Sequence, residues 1–142
     1  GGRTLLLDCG LIQGGDDPDT RNRAPSPCDA SRIGAVGLSH AHLDHSGYLP
    51  RMVRNGYRGP VYCTPATAAL CGLLLPDSAY LQELDAGFAN KKGFSKHQPA
   101  EPLYTVEDAQ TALGLLRDPA RVARLRGKEL EELVGASAAS GR

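Results

Sequence analysis

From residue 39 to residue 47 the chain reads Ser-His-Ala-His-Leu-Asp-His-Ser-Gly, which places three of its four histidines and a carboxylate between His40 and His45. Imidazole nitrogen and carboxylate oxygen are the donors zinc takes in tetrahedral or five-coordinate sites, and catalytic sites leave one position open for water. Spacing adds to composition. If His40 and His42 end an extended segment, two-residue alternation turns both rings to one side. Asp44 and His45 follow at a turn into a helix, poorly placed to reach the same ion, and so point to a second, adjacent metal. Two metals roughly 3.5–4 Å apart suit hydrolysis, because together they acidify a bridging water and stabilise the attacking and leaving oxygens. A fold that presents such a cluster needs a rigid strand end to carry it.

Two apolar runs supply strand ends. Thr4-Leu5-Leu6-Leu7-Asp8-Cys9-Gly10 is a short continuous run closed by a turn residue, the pattern of a strand buried on both faces. Ile33-Gly34-Ala35-Val36-Gly37-Leu38 forms a second, which delivers Ser39 and His40. Both runs finish in polar chemistry, so the site belongs at one edge of an α/β sheet. Asp8, at the end of the first, reads as a ligand or as an acceptor for a ligating imidazole.

The rest of the chain supports this layout. Residues 14–31, rich in Gly, Asp, Pro, Arg and Ser, read as loop. Arg21 and Arg23 there read as solvated. After the cluster, Tyr48, Leu49, Met52 and Val53 follow helical spacing and Asn55-Gly56 supplies a stop. That helix would start beside the metals, with its dipole favouring an anionic oxygen. Pro60-Val61-Tyr62-Cys63 is a short strand, and Thr64-Pro65 opens a helix with Ala66, Ala69, Leu70, Leu73 and Leu74 on its apolar face. Pro76 is expected to end or kink it, with a further helical segment carrying Leu81, Leu84 and Phe88. Gly93 to Pro102 reads as a loop holding Lys96 and His97, preceded by Lys91-Lys92. Thr105 to Asp108 caps a last helix with Val106, Ala109, Leu113 and Leu116 as its stripe.

Bulk properties narrow the function. With 142 residues, 41% apolar and 23% charged, the chain is one domain's worth or less. Sixteen basic residues balance sixteen acidic ones, so no global field advertises nucleic acid or membrane, and an RNA partner must be held locally. No run approaches the roughly 18 apolar residues of a membrane span, and no leader pattern opens the chain, which reads as cytoplasmic. Cys9, Cys28, Cys63 and Cys71 are scattered without C-x-x-C spacing and read as reduced thiols.

The segment His40-Ala41-His42-Leu43-Asp44-His45 resembles the signature of the metallo-β-lactamase superfamily. Leu7 to Gly14, Ser39 to Pro50, Gly59 to Thr67, Pro76 to Ala79 and Gly93 to His97 resemble its RNA-processing branch, the β-CASP-type exonucleases and endonucleases. The resemblance covers residues 4–117. It implies an α/β fold, the metallo-β-lactamase αββα sandwich, incomplete here because the first strands and the C-terminal half are missing. On that reading residues 1–117 are the N-terminal part of the domain, and residues 118–142 are a divergent tail with a short Leu125/Leu130/Leu133 helix.

For the site, the resemblance implies His40 and His42 on one Zn2+, Asp44 and His45 on the other, and Asp8 and Asp44 as the acidic residues of catalysis. The implied reaction is attack on an RNA phosphodiester by metal-bound hydroxide, with single-stranded RNA as the partner. The family completes its metal site with a histidine in a Gly-His-x-x-Gly-Ser-like strand and an aspartate in a Ser-Gly-Asp-like strand. Neither motif occurs in these 142 residues. The expectation is therefore a fragment with impaired activity, or with missing ligands supplied by a homodimer. The alternatives are a catalytically silent metal-binding or interaction module, and a hydrolase of a thioester or lactone on the same fold.

Overall fold

The computed structural model describes residues 4–26, 28–94 and 99–127. Among these residues four strands, β1 (Thr4–Leu7), β2 (Ile33–Gly37), β3 (Val61–Tyr62) and β4 (Leu116–Arg117), form one sheet in sequence order. All three pairings are parallel. The crossovers carry the helices α1 (Pro18–Arg23), α2 (Leu43–Ser46), α3 (Leu49–Arg54), α4 (Pro65–Lys92) and α5 (Val106–Leu113), and α6 (Pro119–Leu125) follows β4. The fold class is α/β, as expected. No helix among the described residues is long and apolar enough to cross a membrane.

Register decides which side chains meet the helices. Leu6, Val36, Val61 and Leu116 lie side by side across the four strands and therefore share a face. Val36 and Val61 are fully buried in a core with Leu49, Val53, Tyr57, Leu75 and Tyr104, and Leu6 and Leu116 pack against it. The neighbouring row, Leu7, Gly37, Tyr62 and Arg117, faces the other way. On that side Leu5 is 60% exposed and Leu7 75%. The expectation that β1 is buried on both faces is thus corrected. Among the described residues Leu5 and Leu7 are left uncovered, because the buried apolar residues of α3, α4 and α5 join the core on the Val36 and Val61 side, and α1 buries none.

Local chemistry explains the helix ends. Thr64 accepts the Thr67 N–H through its side chain and Pro65 occupies the first turn of α4, while Gly93, at φ 70°, closes it in the left-handed conformation. Thr105 and Asp108 form a reciprocal capping box on α5. Three further expectations are revised. Pro76 neither ends nor divides α4, since Cys71, Leu75 and Ala79, fully buried on both sides of it, hold the helix to the core. Leu116 belongs to β4 rather than to α5. The loop of residues 14–31 contains α1, capped by the side chain of Asp17, where Arg23 pairs with Asp19 at 2.9 Å instead of standing in solvent. Lys96, His97, Leu130 and Leu133 lie outside the described residues.

Candidate metal centre

Because the sheet is parallel, its strands all end on one edge. The ladder runs one step beyond each strand there: Asp8 donates its N–H to the Gly37 carbonyl at 2.8 Å, Leu38 to Tyr62 at 2.9 Å and Cys63 to Arg117 at 3.1 Å. Asp8 and Ser39, the first polar residues after β1 and β2, come together at this edge. Asp8 turns out of its strand at φ 58°, in the left-handed region that a non-glycine residue occupies only when its surroundings hold it there.

What holds it is the turn that carries the candidate donors. Cys9 donates its N–H to the His45 carbonyl at 2.7 Å and Leu11 to Leu43 at 2.8 Å, while the Cys9 carbonyl accepts from Tyr48 at 3.0 Å. The chain after β1 therefore runs as a brace along α2. Gly10 sits at the closest point, where a Cβ would fall 1.5 Å from the Asp44 carbonyl oxygen, so only glycine lets the two backbones meet. From the other side the fully buried Ser46 hydroxyl donates its one hydrogen between the carbonyls of Ala41, at 2.9 Å, and His42, at 3.1 Å, as a shared bond. His42 opens α2 without using its side chain as a cap, which leaves the imidazole to face His40.

The four donor residues gather as two touching pairs. His40 Nε2 lies 3.1 Å from His42 Nδ1, and His45 Nε2 lies 3.5 Å from Asp44 Oδ2. The His40 and His45 rings are tilted against each other with centroids 4.0 Å apart. Ligand atoms of His40, Asp44 and His45 all fall within 4.8 Å of one another, so His40 stands between the pairs rather than apart from the second. The donors around a tetrahedral zinc, at bonds of about 2.0–2.1 Å, are separated by roughly 3.3–3.4 Å. Both observed separations bracket that value, so nitrogen and oxygen donors of the right type stand at the right spacing for zinc. The helix expected to start beside the cluster is broken into α2, a single turn, and α3, so any dipole acting at the site is that of one turn.

Asp8 meets the cluster from behind. Its Oδ1 accepts the Ser39 N–H at 2.7 Å, and its Oδ2 accepts the Ser39 hydroxyl at 2.7 Å and faces His45 Nδ1 at 3.0 Å. Burial raises the pKa of this carboxyl, but the Ser39 N–H, His45 and the Ser39 hydroxyl together outweigh it and hold the group below the ordinary carboxylate value. The structure thus brings His40, His42, Asp44, His45 and Asp8 into one site. It also supplies three participants to which the sequence assigned no part in the site. Ser39 was signalled by a hydroxyl at the strand end directly before the first histidine, Gly10 by a glycine directly after Asp8-Cys9, and Ser46 by nothing visible before the fold is known.

No protein-family model matches the chain. Individual proteins do. It is 44% identical over 117 residues to ribonuclease TTHA0252 of Thermus thermophilus, an overlap of 82% of this chain and 23% of that protein. It is 47% identical over 75 residues to the transcription termination factor FttA of Methanothermobacter thermautotrophicus, 51% of this chain and 12% of the relative. Integrator complex subunit 11 of Danio rerio is 40% identical over 82 residues, 54% and 14% respectively. The chain spans less than a quarter of the length of each of these relatives. Taken with a donor cluster set at the carboxyl edge of a parallel sheet, these likenesses show that the chain belongs to the β-CASP group of metallo-β-lactamase-family RNA-processing proteins.

Proposed function

We propose that this chain carries the zinc-binding part of a hydrolase that cleaves phosphodiester bonds in single-stranded RNA, with residues 1–117 as the N-terminal part of the catalytic domain and residues 118–142 as a divergent tail. The observation that carries the reading is the pair of donor separations, 3.1 Å for His40 with His42 and 3.5 Å for Asp44 with His45. His40 and His42 would hold one Zn2+, and Asp44 and His45 the other. Bound zinc supplies Lewis acidity and a nucleophilic water at neutral pH. The chain's own contribution is orientation: Asp8 accepts from His45 Nδ1 and leaves Nε2 free, and the brace through Cys9 and Leu11 fixes Asp44 and His45 in one turn.

The open face of the sheet supports the sandwich architecture. A parallel sheet is ordinarily covered on both sides, and Leu5 and Leu7 give the outer face an apolar surface suited to a second sheet. Four unpaired cysteines support the cytoplasmic reading. One longer relative is named a ribonuclease and another a transcription termination factor, and these names support RNA as the substrate class.

The test is zinc per chain by elemental analysis after dialysis, run beside His42→Ala and Asp44→Ala. Retained zinc that is lost in both variants, with circular dichroism unchanged, is the expected result. Cleavage of single-stranded RNA that persists undiminished in the double variant would overturn the assignment.

A further inference from the structure

The two pairs of donors share a single anchor. Ser39 Oγ lies 2.7 Å from Asp8 Oδ2 and 2.9 Å from His40 Nδ1. A carboxylate only accepts hydrogen bonds, and a hydroxyl has one hydrogen to give. The Ser39 hydrogen therefore goes to Asp8, and the second contact must be a hydrogen donated by His40 Nδ1. In the neutral imidazole that arrangement leaves His40 Nε2, the atom facing His42, without a hydrogen. Asp8 Oδ2 does the same for His45 directly, through Nδ1 at 3.0 Å.

We propose that Ser39 is a positioning residue that extends the grip of the Asp8 carboxylate to His40, so that one carboxylate sets the tautomer and ring orientation of a donor for each of the two ions. This rests on the two-ion reading above and adds a link between the ions. His45 is held at one remove from Asp8 and His40 at two. The role belongs to the hydroxyl alone, because the Ser39 backbone N–H bonds Asp8 Oδ1 separately at 2.7 Å and survives truncation of the side chain. Ser39 is exposed, so its truncation opens no cavity in the core.

The experiment uses the full 142-residue chain, first metal-free and then titrated with zinc alone. Long-range proton–nitrogen spectra of the imidazoles report tautomers without metal, and competition with a chromogenic chelator reports zinc affinity. In the wild type His40 is expected as the Nδ1–H tautomer. Ser39→Ala should lose that preference and weaken zinc about 10- to 100-fold, the usual cost of losing a group that orients a ligand. Ser39→Thr, which keeps the hydroxyl, should restore both, and His45 should keep its tautomer in Ser39→Ala but not in Asp8→Asn. An unchanged His40 tautomer in Ser39→Ala, or unchanged zinc affinity, overturns the relay. A wild type that takes up no zinc at all overturns the two-ion reading instead, and the tautomer spectra still decide whether Ser39 orients His40.

Discussion

Leu73 and Leu75 stand two residues apart on α4 and meet opposite surroundings. Leu75, with Cys71 and Ala79, is fully buried against the core, whereas Leu73 is 72% exposed and shares its side of the helix with Leu70, Leu81, Leu84 and Phe88, each more than half exposed. The sheet repeats the contrast, with Val36 and Val61 fully buried on its inner face and Leu5 and Leu7 open on its outer one. Residues of one chemical type thus do two different jobs. The inner set holds the structure together, and the outer set contributes little until something covers it, because the hydrophobic term scales with area actually removed from water.

The largest expected effect breaks this comparison if it fails. Leu75→Ala should cost about 2–5 kcal/mol by lost burial and cavity formation, whereas Leu73→Ala should stay within about 0.5 kcal/mol. Urea denaturation of the two variants decides, and equal losses would mean that the outer face is covered in solution. Next comes the seam between the inner layer and the ligand turn. In Gly10→Ala the new methyl must displace the Asp44 carbonyl, at a cost of about 1–3 kcal/mol. Because Asp44 and His45 move with it, zinc retention should fall as well, which separates Gly10 from a purely structural glycine. Thr105→Ala removes the capping box of α5 and should cost about 1 kcal/mol without altering zinc uptake.

The smallest effect sharpens the inner and outer assignment without disturbing the fold. Burial pushes the Cys9 thiol up to about 12 and Cys63 to about 11, with Cys71 raised in the same sense, whereas Cys28 is exposed. Thiolate is the reactive form, so a raised value keeps the group protonated at every pH below it. Alkylation at pH 8 should modify Cys28 rapidly and the other three only on unfolding, as read by mass spectrometry. Rapid modification of Cys9 would mean that the brace along α2 opens readily.

Legibility in the sequence followed the range of the interactions involved. The cluster from His40 to His45, the strands leading to Asp8 and Ser39, and the caps at Thr64 and Thr105 depend on residues within a few positions of one another, where spacing and side-chain chemistry act directly. Pro76 misled because its local cost is outweighed by burial at Cys71, Leu75 and Ala79. Leu116 misled because a two-residue strand exists only by pairing with Val61 and Tyr62. The exposed side of β1 misled because an apolar run has the same appearance whether one face or both are covered.

By itself, then, the sequence determined the donor types, their order and the strand ends that carry them, since these are properties of neighbouring residues. Only the tertiary structure decided that Asp8 and Ser39, thirty-one positions apart, share hydrogen bonds of 2.7 Å, and that Gly10 lies against Asp44. Those contacts depend on β1 and β2 lying parallel and in register, so that both chains turn out of the sheet at the same level. Register is set by how the Leu6, Val36 and Val61 row packs on the helices, a cooperative property of the whole core that no short stretch of sequence contains.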